Sequence, residues 1–253
     1  MIVDPLILFI ASFTFFIGGL SKGAMGFGLP MIAIPMLTAF GSLPLALSIA
    51  VPPVVATNVW QVWKFRQHRG QPFMQRFLAL GIVGVLIGAS FLKYIEEAYL
   101  EVLLGCMVLF YLFVSQRKGS ETLPVVQRDK LSPVIGGFAG MAHGATGLSG
   151  LIGTPYFHAI GLTRPAFIFC NSIMFTVFSA LHMPAMAVAG VYQPSAVPIG
   201  VIVILPAFAG LWLGGFWGGR LKASTFPIIV KAMLTIAAVL PIWNGLSRLF
   251  LAT

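Results

Sequence analysis

Two short stretches hold the residues best suited to chemistry. SKGAMGFGLP, residues 21–30, sets Lys22 among Gly23, Gly26 and Gly28 inside an apolar run. HGATGLSGL, residues 143–151, sets His143 beside Gly144, with Thr146 and Ser149 close by. A lysine at the bilayer centre costs about 2.5–3.5 kcal/mol on insertion scales, so a cation in such a run is a functional candidate. It suits an anionic ligand; the alternative is an ammonium that snorkels to an interface. The acidic residues Asp4, Glu96, Glu97 and Glu101 read as lying near the outer surface, away from it. His143 can donate a hydrogen bond to an anion or take up a proton, or can simply be a packed polar residue.

Other polar groups are weaker candidates. Gly23, Gly26 and Gly144 would let backbone approach a ligand. Thr146, Ser149 and Thr154 offer hydroxyls. Asn58, and Asn171 with Ser172, lie in the segments that follow, where such groups serve either a site or interhelical hydrogen bonding. His158 and His182 read as structural and do not form metal-ligand spacing with His143, so neither metal nor cofactor is expected. GLSGL around Ser149 is only loosely a GxSxG elbow and lacks the strand–turn–helix setting that motif needs. With no HExxH and no paired carboxylates in apolar segments, an enzyme is not expected. Cys106 and Cys170 sit in apolar runs without a CxxC and read as buried small hydrophobes. A thiol–disulfide relay, which would need them paired and reactive, is one rival reading. A membrane scaffold with no transport cycle is another.

The elements that must position these residues follow from composition. The chain is 253 residues long, 58% hydrophobic and only 8% charged, against about 25% charged in soluble domains. A net charge of +9 would suit nucleic acid, but the lysines and arginines cluster in short loops between apolar runs, as membrane orientation requires. The class is an all-α integral membrane protein, and the partners expected are lipid and a small anion, with no nucleic acid. A homo-oligomer stays open, because lipid and a partner helix look alike in composition.

Apolar segments run at about 5–40, 43–64, 73–95, 97–115, 132–160, 163–189, 195–219 and 226–251. Six are single spans. The first and fifth are long and interrupted by glycines and prolines, which disfavour helix interiors by about 1 and 3 kcal/mol. Both read as helix–break–helix hairpins. Lys22-Gly23-Ala24-Met25-Gly26 aligns with His143-Gly144-Ala145-Thr146-Gly147, and the register continues through Pro35 with Pro155, Gly41 with Gly161 and Ala46 with Ala166. The division expected is a first repeat at 1–116, a cytoplasmic linker at 117–131 and a second repeat at 132–253.

Lys64, Arg66, Arg69 and Arg76, and then Arg117, Lys118, Arg128 and Lys130, mark two cytoplasmic loops. Arg164, Arg220 and Lys222 join them on that side if each hairpin is re-entrant. The halves are then inverted-topology repeats, each a broken hairpin plus three transmembrane helices, with both termini periplasmic and Arg248 a minor exception. MIVDPLILF lacks the basic flank of a signal peptide, so the first segment is expected to stay. Broken segments in corresponding positions of inverted halves point to a transporter's site near the bilayer midplane, where half-helix N-termini favour anions.

The stretches GGLSKGAMGFGLPMIAIPML, GSLPLALSIA and GGFAGMAHGATGLSGLIGTPYFHAIGLTRPAF together resemble the TauE/SafE family of sulfite and organosulfonate exporters. The likeness covers essentially the whole chain. It implies a multi-pass bacterial inner-membrane protein that exports, or in some members takes up, sulfite, sulfoacetate or related small anions; the two halves are expected to rock to alternate access. With no ATP-binding motif, an ion gradient or the substrate's own gradient would supply the energy.

Overall fold

The computed structural model describes residues 5–115, 123–217 and 225–251. Among these residues the ordered elements are helices, with no strand. They are α1 (Pro5–Met25), α2 (Leu29–Phe40), α3 (Leu43–Lys64), α4 (Phe73–Tyr94), α5 (Glu97–Ser115), α6 (Val125–Thr146), α7 (Gly150–Ala159), α8 (Arg164–Ala189), α9 (Val197–Ile202), α10 (Ile204–Trp217) and α11 (Thr225–Leu251). Among the described residues, six stretches are long and apolar enough to cross a membrane: Pro5–Met25, Leu43–Lys64, Phe73–Tyr94, Arg164–Ala189, Pro194–Trp217 and Lys231–Phe250. Asp4, Arg117, Lys118, Arg220 and Lys222, which entered the charge reading, lie outside the described residues.

Both segments read as broken do break, and each forms two unequal arms. The first has 21 residues in α1 and 12 in α2. The second has 22 in α6 and 10 in α7. The breaks fall where glycine adopts positive φ: Gly26 at 90° and Gly28 at 113° in the first, Gly147 at 75° in the second. Most of the other glycines in these segments do not break anything. Gly18, Gly19 and Gly23 lie within α1, and Gly136, Gly137, Gly140 and Gly144 within α6. Helix α6 also begins at Val125, inside the stretch read as linker. Pro133 within it supplies no N–H to the Asp129 carbonyl. The Ser132 hydroxyl donates there at 3.4 Å, shared with the Phe73 carbonyl at 3.2 Å.

The chain forms two compact units, Met1–Pro53 with Ile95–Gln116 and Tyr192–Thr253, and Val54–Tyr94 with Arg117–Val191. Each draws segments from both sequence halves. The division inside α3 follows Pro52 and Pro53, whose missing N–H groups interrupt the helix ladder.

In the first unit, α1 lies along α10, and α5 along α11. The α1–α10 contact is backbone against backbone. A Cβ on Gly19 would overlap the Ala207 carbonyl, and one on Gly23 the Leu211 carbonyl. Reciprocally, Gly210 meets the Phe16 carbonyl and Gly214 the Leu20 carbonyl. In the second unit, α6 lies along α4 in the same manner. Gly136, Gly140 and Gly144 meet the carbonyls of Phe77, Gly81 and Val85, while Gly84 and Gly88 meet those of Gly137 and Met141. Aromatic rings fill this unit's core: Phe77 lies 5.1 Å from Phe157, 6.0 Å from Tyr156 and 6.3 Å from Phe178, centroid to centroid. The arms of the second hairpin are pinned at their base, where Leu123 N–H donates to the Ala159 carbonyl and Tyr156 Oη–H to the Arg128 carbonyl, each at 2.8 Å.

These contacts separate two kinds of helical glycine. Gly140→Ala forces α6 off α4 and is expected to lower stability by about 1–3 kcal/mol, the usual cost of overpacking. Gly137→Ala, whose Cβ would meet Leu80 only at ordinary van der Waals distance, is expected to be neutral or to stabilise by up to about 1 kcal/mol through helix propensity. Thermal unfolding of the two variants in detergent measures the difference.

Candidate functional site

Lys22 occupies the last turn of α1, and its carbonyl accepts the Gly26 N–H at 2.7 Å as the helix ends. Ser21 Oγ donates to the Phe27 carbonyl at 3.2 Å, tying the turn to the helix it leaves. A Cβ on Gly28 would strike that same Ser21 hydroxyl, so the turn needs glycine for space as well as for φ. Gly28 brings no side-chain cap to α2. Lys22 itself is only 2% exposed. It is buried within the protein and does not snorkel. Gly23, read as a place for a ligand to approach, instead receives the backbone of α10.

The second tip repeats this local geometry with neutral groups. The His143 carbonyl accepts the Gly147 N–H, again at 2.7 Å. Ser149 precedes α7 without capping it; its Oγ lies 3.0 Å from His143 Nδ1. Ser179 Oγ lies 3.2 Å from His143 Nε2. A neutral imidazole donates from one nitrogen and accepts at the other, so one serine accepts from His143 and the other donates to it. His182 packs its ring 5.2 Å from that of His143 and places Nε2 2.9 Å from the Gly144 carbonyl. A carbonyl only accepts, so His182 carries its proton on Nε2. Phe175 and Phe178 cover the His143 ring.

The remaining candidates are committed nearby within the second unit. Thr154 Oγ1 donates to Asn171 Oδ1 at 2.8 Å, and Asn171 Nδ2 to the Phe167 carbonyl. Ser172 Oγ donates to Gln61 Oε1 at 2.8 Å. Thr146 and Asn58 donate back into their own helices, to the carbonyls of Ala142 and Val54. Gly144, like Gly23, contacts helix backbone, that of α4. The second unit thus joins His143 with Ser149, Asn171 with Thr154, and Ser172 with a residue not singled out in the sequence. Lys22 belongs to the first unit.

Ser179, His182 and Gln61 were missed as members of these networks. The signal was a stripe on α8: Ser172, Thr176, Ser179 and His182 recur at helical spacing in an otherwise apolar segment. Ser149 and His143 are in direct contact. The contact has the outline of a nucleophile–base pair, but the second imidazole nitrogen meets a serine hydroxyl where a hydrolase triad places a carboxylate. Cys170 is buried as expected, whereas Cys106 is exposed on α5. Glu101 sits in the second turn of α5 with none of its surface exposed, a burial that the sequence reading did not anticipate.

Together, the apolar helices, the two broken hairpins and the buried polar side chains at their turns define a multi-pass helical membrane protein. The family model "Sulfite exporter TauE/SafE" matches residues 11–240, and the chain belongs to that transporter family. Neither the curated proteins nor the solved structures yield a match.

Ser149→Ala and Ser179→Ala each strip one hydroxyl from the buried imidazole, at an expected cost of about 1–3 kcal/mol. Because both act through His143, the double variant is expected to depart from additivity by more than about 0.5 kcal/mol. Thermal unfolding of the three variants tests this; additive losses would mean that the two serines do not share the ring.

Proposed function

We propose that the chain is a secondary transporter that carries sulfite, sulfoacetate or a related organosulfonate across the bacterial inner membrane. The direction is export, the cycle alternating access, and the termini are periplasmic. The observation that carries this reading is Lys22: a lysine buried at the end of a broken membrane helix, followed in the chain by a helix whose N-terminus has no side-chain cap. A lysine in an apolar helix is costly, and a helix N-terminus adds a positive dipole end and N–H groups that favour an anion. A small oxyanion of sulfur offers the negative oxygens such groups bind. The family membership supports the sulfur chemistry.

The hydroxyl and imidazole groups of the second hairpin suit a different task. They are neutral donors and acceptors that can exchange partners without creating a buried charge. In this reading His143, Ser149 and Asn171, with Thr146, Ser172 and Asn58 supporting them, are the second unit's own candidate hydrogen-bonding groups for substrate. An ion gradient or the anion's own gradient drives the cycle.

A ligand that binds only the folded state raises apparent stability, by about 2.7 kcal/mol at a hundred times its Kd. Sulfite and sulfoacetate are therefore expected to raise the Tm of the purified protein. Lys22→Ala is expected to abolish that rise while membrane insertion and cooperative unfolding persist. Equal stabilisation of the variant would remove Lys22 from the site, and the absence of any shift in wild-type protein would count against sulfur anions as ligands.

A further inference from the structure

A second buried charge, at the other end of the first hairpin, has no part in the site described above. Glu101 is 0% exposed, and neither carboxyl oxygen receives a hydrogen bond. Arg248 Nη1, on α11, lies 3.4 Å from Glu101 Oε1 and 3.6 Å from Glu97 Oε2. Glu97 is partly exposed, and its Oε1 accepts the Leu43 N–H at the start of α3. One turn before Arg248, Asn244 Nδ2 donates at 2.9 Å to the Ala39 carbonyl at the end of α2. Helix α2, which also touches α5, carries no titratable residue. The charged groups facing Glu101 are thus Glu97 and Arg248.

Two carboxylates share one guanidinium, so the triad holds one negative charge in excess. Glu97 has solvent and a backbone donor to support a charge. Glu101 has neither, and a buried carboxylate without donors is strongly disfavoured. One proton on Glu101 makes the cluster neutral. The geometry also gives the proton something to act on. With Glu101 neutral, Arg248 pairs with Glu97 alone; with Glu101 charged, the guanidinium is divided. Glu97 holds the start of α3 and Asn244 the end of α2, so the exchange occurs where the first hairpin joins the next span.

We infer that Glu101 is a proton-binding site that takes up and releases one proton in each transport cycle. The coupling half of this inference rests on the transport reading above; the proton site does not.

Reconstituted wild-type protein is expected to move protons when a sulfite gradient is imposed. Glu101→Gln is expected to keep downhill sulfite exchange while proton movement falls at least about tenfold. In parallel, infrared difference spectra without any anion are expected to show a carboxylic acid C=O band that appears and vanishes as pH is cycled. That band should be absent from Glu101→Gln and shifted in frequency in Glu101→Asp, which serves if the glutamine variant does not assemble. A band unaffected by both substitutions, or wild-type proton movement in Glu101→Gln, would overturn the inference. A Glu101 band in protein that moves no sulfite would uphold the proton site and instead sink the transport reading.

Discussion

The close approach of helix backbones at glycine is the constraint on which the rest of this structure depends. Between membrane helices there is no hydrophobic driving force, because lipid tails are as apolar as leucine; contact rests on packing, and small residues bring backbones together. Gly19 and Gly23 of α1 interlock with Gly210 and Gly214 of α10, and Gly136, Gly140 and Gly144 of α6 with Gly81, Gly84 and Gly88 of α4. Each hairpin's long arm is thereby clamped along its length. The candidate ligands stand next to the last clamped position: Lys22 precedes Gly23, and His143 precedes Gly144. Since successive helical residues point about 100° apart, a glycine fixed against its neighbour helix also fixes the direction of the side chain before it. The same contacts that stabilise the arm orient Lys22 and His143.

The two tips then diverge in chemistry while keeping one backbone geometry. Gly26 and Gly147 both take positive φ and return their N–H groups to the carbonyls of Lys22 and His143 at equal distance. At the first tip the buried group is a lysine. At the second it is an imidazole with both nitrogens engaged by serines. Buried neutral polar groups are tolerated when each has a partner, and a fully satisfied network is rigid. The second tip is therefore a satisfied hydrogen-bonding frame, whereas the first buries a lysine at the matching position.

Much of this was legible in the sequence because its signals were local. Apolar length set the helices, and α3 and α5 end where hydropathy placed them. The density of glycine and proline marked both broken segments. What glycine did at each position was harder to read, since the missing Cβ serves a left-handed turn and a helix contact alike. Composition treats Gly23 and Gly26 the same; spacing separates them, for the packing glycines recur every four residues along α1, α6 and α10. Glu101 escaped because its neighbours in sequence, Glu96 and Glu97, belong to a loop end. Its burial depends on α11, far along the chain. Ser179 and His182 escaped for a like reason: an isolated serine or histidine in an apolar helix acquires meaning only from the helix it faces.

Arg248 links these non-local features to the orientation of the chain. In the proposed topology it is a lone cation that runs against the positive-inside tendency, which counts the lysines and arginines flanking spans. Its distances to Glu97 and Glu101 give it another purpose. It joins α11 to the beginning of α5, and through Glu97 and Asn244 to the end of the first hairpin. A charge balanced in this way need not bias topology, but it does make the foot of that hairpin sensitive to any change in the charge of Glu101. The two buried ionisable side chains of the first unit thus stand at opposite ends of one hairpin: Lys22 in its turn, and Glu101, on α5, beside its foot.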